Sequence, residues 1–397
     1  MILQTAKGSD FKLFIELSSL AFVDFSSCCC YNFFMALKFN DNLLPTLPIM
    51  EDLPVDRIIG ITSTIPIEIV FAAGYIPIDL NNIFVCDPSS YKMVEDAESA
   101  GLPRNTCAWI KGIYSAVMKY RIKKVISVIQ GDCSNNQALM EIFQSEGIET
   151  IPFAYPHSKK DKKFLQDQLV RLADSLEVDY SKAEEMKERL DAIRAKVHEI
   201  DRLTWAENTV TGEENHIWTV STSDLMGDYT VFEERAVRFL KLMQDRKSIQ
   251  YGLRIGVVGI PPICEDLYAF LSSLGAHVVF NEIQRQFSMP YSTRTLAEQY
   301  SEYTYPYDIF SRLEDIQQGI KQRNIQGLIH YVQSFCHRHI HDSIIRKNVQ
   351  LPILTLDCDR PGRLDGAMKT RIEAFIEMLK NIDPSGISVG TPIIFPS

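Results

Sequence analysis

The stretch VISVIQGDCSNN, residues 125–136, decides the fold. Its β-branched run from Val125 to Ile129 lacks the apolar–polar alternation of a half-exposed strand, so it reads as a strand buried on both faces of a parallel sheet. Gly131 supplies a permissive turn just beyond. Cys133 therefore falls at the carboxyl end of a strand, where open α/β sheets place their ligands. A second stretch, LIHYVQSFC at residues 328–336, repeats the pattern: Ile, two residues, Ile or Val, Gln, two residues, Cys. Cys133 and Cys336 thus occupy equivalent strand ends in two similar units, and a site shared between the units is expected.

The neighbouring segments agree with two α/β units. Before Cys133, "RIIGITSTIP" reads as a strand and "IEIVFAAG" as a helix ending at Gly74. "YIPIDL" and "NNIFVC" read as short strands, and helical periodicity starts near Ala108. After Cys133, the helix "NQALMEIFQSEG" leads to the strand "ETIPFAYP". Strands alternating with helices imply a parallel sheet. From Lys159 to Lys247 the chain turns to long charged helices with apolar residues three and four apart. A second strand–helix series then runs from "LRIGVVGIPP" through "AHVVFNE", "LIHYVQSFC" and "LPILTLDCD" to the helix "KTRIEAFIEMLKN". The expected architecture is α/β, with two similar parallel-sheet, Rossmann- or flavodoxin-like domains and a site in the cleft between them. The expected boundaries are 51–158 and 250–397 for the domains and 159–249 for a helical connector. Residues 1–50 form either an accessory helical segment or upstream sequence from a wrong start codon, with Met35 and Met50 as later starts.

Composition narrows the function. The chain has 397 residues, 46% hydrophobic and 23% charged, and a formal charge of −10. That balance opposes a nucleic-acid surface, which needs dominant clusters of Lys and Arg. Lys12, Glu16 and Asp24 interrupt the apolar N-terminal stretch before it reaches the roughly 18–20 residues needed to span a bilayer, and no signal-peptide cleavage pattern follows. Nine cysteines in so long a chain are too few and too irregular for a disulfide framework of the small secreted kind. A reducing cytoplasm is the expected location.

Three common chemistries are disfavoured by missing motifs. No G-x-x-x-x-G-K-[ST] is present for a P-loop. "GVVGIPP" lacks the G-x-G-x-x-G spacing of dinucleotide binding, and the strand-end residue is not the serine of G-x-S-x-G. Cysteine remains: Cys107 at the start of a helix, Cys133 and Cys336 after strands. Helix N-termini favour thiolates, because backbone N–H groups point at the sulfur. Three thiolates are one short of a closed tetrahedral set, a count that suits a cubane iron–sulfur cluster with one iron open. Buried cysteine also serves simply as a small hydrophobe, and Cys28, Cys29, Cys30, Cys86, Cys264 and Cys358 are read that way. "CHRHIH" offers His337 and His341 four apart for zinc, but the C-x₂₋₄-C half of a zinc site is missing. "KKDKK" at 159–163 reads as a solvated helix edge. In "TSTIPIE", Ser63 and Glu68 flank Pro66 at a strand-to-helix junction. They could orient a substrate carbonyl or move a proton, or simply cap the helix and complement its dipole.

At these residues the chain resembles the 2-hydroxyacyl-CoA dehydratase family, which includes the 2-hydroxyglutaryl-CoA dehydratase D-components, the benzoyl-CoA reductase subunits and the double-cubane cluster proteins. The resemblance runs from about Arg57 to Lys380 and rests on "GITSTIPIEIVFAAGYIPI", "LPRNTCAWIKG", "GDCSNN", "RIGVVGIPP" with "LGAHVV", and "QSFC" followed by "LPILTLDCD" and "TRIEAFIEML". It implies an iron–sulfur cluster held by Cys107, Cys133 and Cys336, with Ser63 and Glu68 at the active site. The cluster would be [4Fe-4S], or a double-cubane [8Fe-9S] shared across a dimer. The implied activity is radical dehydration or reduction of an acyl-CoA through a ketyl. The implied partners are a second copy or a related subunit and an ATP-dependent iron–sulfur activator, which fits the missing P-loop; neither nucleic acid nor a membrane is expected. Two alternatives stay open: a homodimeric double-cubane reductase of small molecules, and a non-catalytic cluster-binding accessory protein.

Overall fold

The computed structural model describes residues 44–45, 50, 53–250 and 252–382. Apart from Leu44, Pro45 and Met50, the expected accessory segment 1–50 lies outside these residues, as do Cys28, Cys29 and Cys30. Two four-stranded parallel sheets organise the chain. The first holds β1 (Ile58–Ile61), β2 (Ile76–Asp79), β3 (Lys124–Gln130) and β4 (Glu149–Ala154) in the order β2-β1-β3-β4. The second holds β5 (Leu253–Gly259), β6 (Ala276–Asn281), β7 (Gly327–Val332) and β8 (Ile353–Asp357) in the order β6-β5-β7-β8. Every adjacent pair is parallel, and the two orders are the same.

The apolar runs explain this arrangement. All four residues of β1 and all six of β7 are buried, which requires cover on both faces of each sheet. One apolar cluster joins Leu80, Val125 and Phe143 of the first half to Ile255, Tyr331 and Leu356 of the second, so the halves share a core. Helices between Lys162 and Met243 cover the outer face of the first sheet through Leu169, Leu190, Ile193 and Trp218. Among them is Tyr180–Arg202, the long charged helix expected from the sequence. No described helix is long and apolar enough to cross a membrane.

Two details differ from the sequence reading. "NNIFVC" is not a strand but the end of the helix Leu80–Cys86, because the Asp79 side chain accepts the Asn81 N–H and starts a helix where β2 stops. Cys264 and Cys358, read as small hydrophobes, are instead disulfide-bonded. They lie just past β5 and β8, and the hydroxyl of Tyr331 donates to Cys264 Sγ at 3.2 Å.

Candidate functional site

In a 2-1-3-4 parallel sheet the strand order reverses between the first and third strands, and the crevice outside their carboxyl ends is the natural ligand site. Here both sheets turn that crevice toward one cavity of about 150 Å³. Thr62, Ser63 and Thr64 follow β1, and Asp132 and Cys133 follow β3. Ile260, Pro261 and Pro262 follow β5, and Gln333 and Cys336 follow β7; all line the cavity. Cys107 completes the set from the helix that precedes β3. The three cysteines expected from sequence are therefore brought together. Among the described residues Cys86 lines the same cavity.

Each of the three is the N-cap of a helix. Cys107 precedes Ala108–Lys119, Cys133 precedes Ser134–Ser145, and Cys336 precedes the short 3₁₀ helix His337–His341. Gly131 makes the turn at Cys133 possible. Its φ is +98°, and a Cβ there would lie 2.8 Å from the Cβ atoms of both Pro306 and Tyr155. First-turn N–H groups favour the ionised sulfurs: those of Ile110 and Trp109 at Cys107, Asn136 and Asn135 at Cys133, and Arg338 at Cys336. Burial outweighs them. It pushes the Cys107 thiol up to about 11 and that of Cys133 up to about 12, and it raises Cys336 as well. The negative charge of Asp132 adds to the rise at all three. In the protein alone the sulfurs are protonated at neutral pH, and a bound cation is what would ionise them.

Asp132 answers why an acid precedes the cysteine in the 125–136 stretch. Its Oδ1 accepts the Cys133 N–H at 2.8 Å, its Oδ2 faces Asn136 Nδ2 at 3.4 Å, and the Ser63 hydroxyl favours its ionised form. Burial raises its pKa, and the nearby Arg338 charge is the leading opposing influence. Arg338 is 2% exposed. It lies over the Tyr305 ring at 4.1 Å and donates to the Tyr305 carbonyl at 2.6 Å, while its Nε has no partner among the described residues. Trp109 Nε1 and Gln333 Nε2 on the cavity wall are likewise buried donors with no acceptor among the described residues. The described residues thus leave several N–H groups on this wall unsatisfied, a pattern that fits a bound group rich in acceptors such as sulfide.

Ser63 lines the cavity, whereas Glu68 does not. Glu68 is fully buried; Arg194 Nη1 donates to its Oε1 at 2.5 Å, Gln299 Nε2 at 2.7 Å, and the Tyr300 hydroxyl reaches Oε2 at 2.9 Å. Burial opposes its ionisation, and the Arg194 charge and these hydrogen bonds prevail, holding the carboxyl below the usual range. His337 also lines the cavity, with its ring centroid 6.3 Å from that of His341. Burial, with the Arg338 charge, pushes both histidines down to about 4. Among the described residues no three His, Cys, Asp or Glu side chains are grouped to hold a metal ion.

A family model described as 2-hydroxyglutaryl-CoA dehydratase, D-component, matches residues 62–379. The chain belongs to this family. The match begins at Thr62, directly after β1, and ends at Leu379 in the last described helix, Gly366–Asn381. It therefore takes in every residue of the cavity wall. No curated protein matches the chain. D-component membership makes the chain a dehydratase-type enzyme subunit, of a family known for iron–sulfur clusters and, in general, for activator proteins and acyl-CoA substrates. Arg338, Tyr305, Trp109 and Gln333 were not singled out by sequence reasoning, which met Asp132 only as the acid before Cys133. The repeated Gln-x-x-Cys could have marked Gln333, whose position relative to Cys336 is fixed by the repeat.

Proposed function

We propose that this chain is a cytoplasmic iron–sulfur subunit that dehydrates a 2-hydroxyacyl-CoA, with Cys107, Cys133 and Cys336 as cluster ligands. The reading rests on one observation: three partly buried thiols, contributed by both halves and each at a helix start, line a single cavity. Three thiols are one short of a closed tetrahedral set, a count that suits an iron–sulfur core. When bound, the cluster would supply a low-potential electron, received from a separate ATP-dependent activator, and an open coordination position.

The chain's own residues supply the rest. With the group bound, first-turn N–H groups would hold the ionised sulfurs of Cys107, Cys133 and Cys336. Apolar walls, including Ile110, Ile113, Ile217, Val220 and Phe287, exclude water. One electron on the thioester carbonyl gives a ketyl radical anion, which expels the 2-hydroxyl and acidifies the neighbouring C3–H. After the C3 proton leaves, the electron is returned, and the net change is loss of one water. Ser63, on the cavity wall and hydrogen-bonded to Asp132, would donate to the thioester oxygen. Glu68 acts one step back, by fixing the helix Ile67–Ala72 that begins after the Ser63 turn.

Strictly anaerobic loading with iron and sulfide tests the proposal. About four irons per chain and a cubane paramagnetic resonance signal are expected. Cys133→Ser should lose cluster and dehydration together, whereas Cys86→Ser should keep the iron count. Wild-type protein that takes up no iron would refute the reading. A bridged eight-iron spectrum shared by two chains would move the chain to the double-cubane reductases.

A further inference from the structure

Gln333 contacts both cysteine-bearing segments that come from opposite halves of the chain. Its backbone carbonyl accepts the Cys336 N–H at 2.9 Å, and its side-chain Oε1 accepts the N–H of Ala108, the residue after Cys107, at 3.0 Å. A backbone N–H can only donate, so this bond fixes which end of the amide is oxygen. The Nε2 group is thereby directed away from Ala108. It is buried, has no acceptor among the described residues, and belongs to a residue on the cavity wall that is 1% exposed. Its counterpart in the repeat behaves differently: Gln130 Nε2 donates to the Tyr155 carbonyl at 2.6 Å, within the first sheet. Buried amide N–H groups are rarely left without an acceptor. The acceptors that a sulfur-ligated core adds to this wall are thiolate and sulfide.

Building on the proposed cluster, we infer that Gln333 is a positioning residue. It clamps Cys107 and Cys336 at a fixed spacing through Oε1, and it donates an Nε2–H hydrogen bond to a sulfur of the bound group. Donors to sulfur stabilise the reduced, more negative state and raise the reduction potential.

The test compares anaerobically loaded wild-type protein with Gln333→Met and Gln333→Glu. Gln333→Met removes the donor without adding charge. Gln333→Glu keeps an acceptor for Ala108 while replacing the donor. Midpoint potential, paramagnetic g-values and iron retention under a chelator are read for each. Both variants should show a more negative potential than wild type and altered g-values. Gln333→Met, which also loses the clamp, should release iron several-fold faster. Potentials equal to wild type in both variants would overturn the inference while leaving the cluster reading intact; wild-type protein without iron would overturn both. Should a variant fail to fold, wild-type protein labelled with ¹⁵N at glutamine side chains carries the test. Electron–nuclear double resonance should show a ¹⁵N coupling and an exchangeable proton coupling that Gln→Met changes at other buried glutamines do not remove. Absence of that coupling would overturn the inference.

Discussion

Replacing Glu68 by Gln removes the charge at the centre of a buried network and nothing else of comparable size. Arg194 Nη1 lies 2.5 Å from Glu68 Oε1, and the two side chains are 1% and 0% exposed. With an effective dielectric of about 20, the attraction at that separation is roughly 6–7 kcal/mol. The Gln amide recovers part of it as a hydrogen bond, and the loss of one partner from a buried pair costs about 3–5 kcal/mol. Urea unfolding of the cluster-free protein at pH 7, followed by circular dichroism, should show the midpoint fall with little change in slope. The pH dependence gives a second handle. The folded-state pKa of Glu68 lies below its ordinary value of 4.5, so the pair's contribution is fully present above that pH. It is lost as pH falls through the depressed folded value, and wild type and variant should converge there. An unchanged midpoint, together with lost dehydration at normal iron content, would refute the structural role and return Glu68 to the chemistry.

Two further outcomes follow from the site. The raised thiol pKa values mean that the empty site is protonated at neutral pH, so cluster loading should release about three protons per site, measurable by pH-stat titration. Retention should also strengthen from pH 7 to pH 9, and release of less than about one proton would contradict the ligand set. Gly131→Ala places a Cβ 2.8 Å from Tyr155 Cβ and Pro306 Cβ at a φ of +98°. It should cost about 2–4 kcal/mol, lower the melting temperature and weaken iron retention, because Cys133 is two residues on; a wild-type melt would show that the turn tolerates a side chain.

Most of the secondary structure was legible because continuous apolar runs such as Val125–Ile129 are a local signal. The strand-end positions of Cys133 and Cys336 were legible too, since a repeated pattern fixes equivalent strand ends without coordinates. Other features depend on partners far away in sequence. The sequence leaves Glu68 open as a catalytic or a first-turn acid, and the Arg194 that pairs with it lies 126 residues later. Cys264 and Cys358 are 94 residues apart, with no spacing rule to pair them. "NNIFVC" has a β-rich composition, yet the capping Asp79 starts a helix there. Arg338 was hidden inside "CHRHIH", where the histidines drew attention. Its importance comes from burial against Tyr305, which no window of sequence displays.

The equal strand order of the two halves has a consequence for symmetry. Each half places a helix before its third strand: Ala108–Lys119 before β3 and Ile309–Arg323 before β7. The first is introduced by Cys107. At the matching position the second has Asp308, whose carboxylate is engaged with the Phe310 and Ser311 N–H groups. The two halves thus repeat one strand order without repeating the residue that starts this helix: a thiol stands at that position on the cavity wall in the first half, and in the second a carboxylate that caps its own helix stands outside the wall.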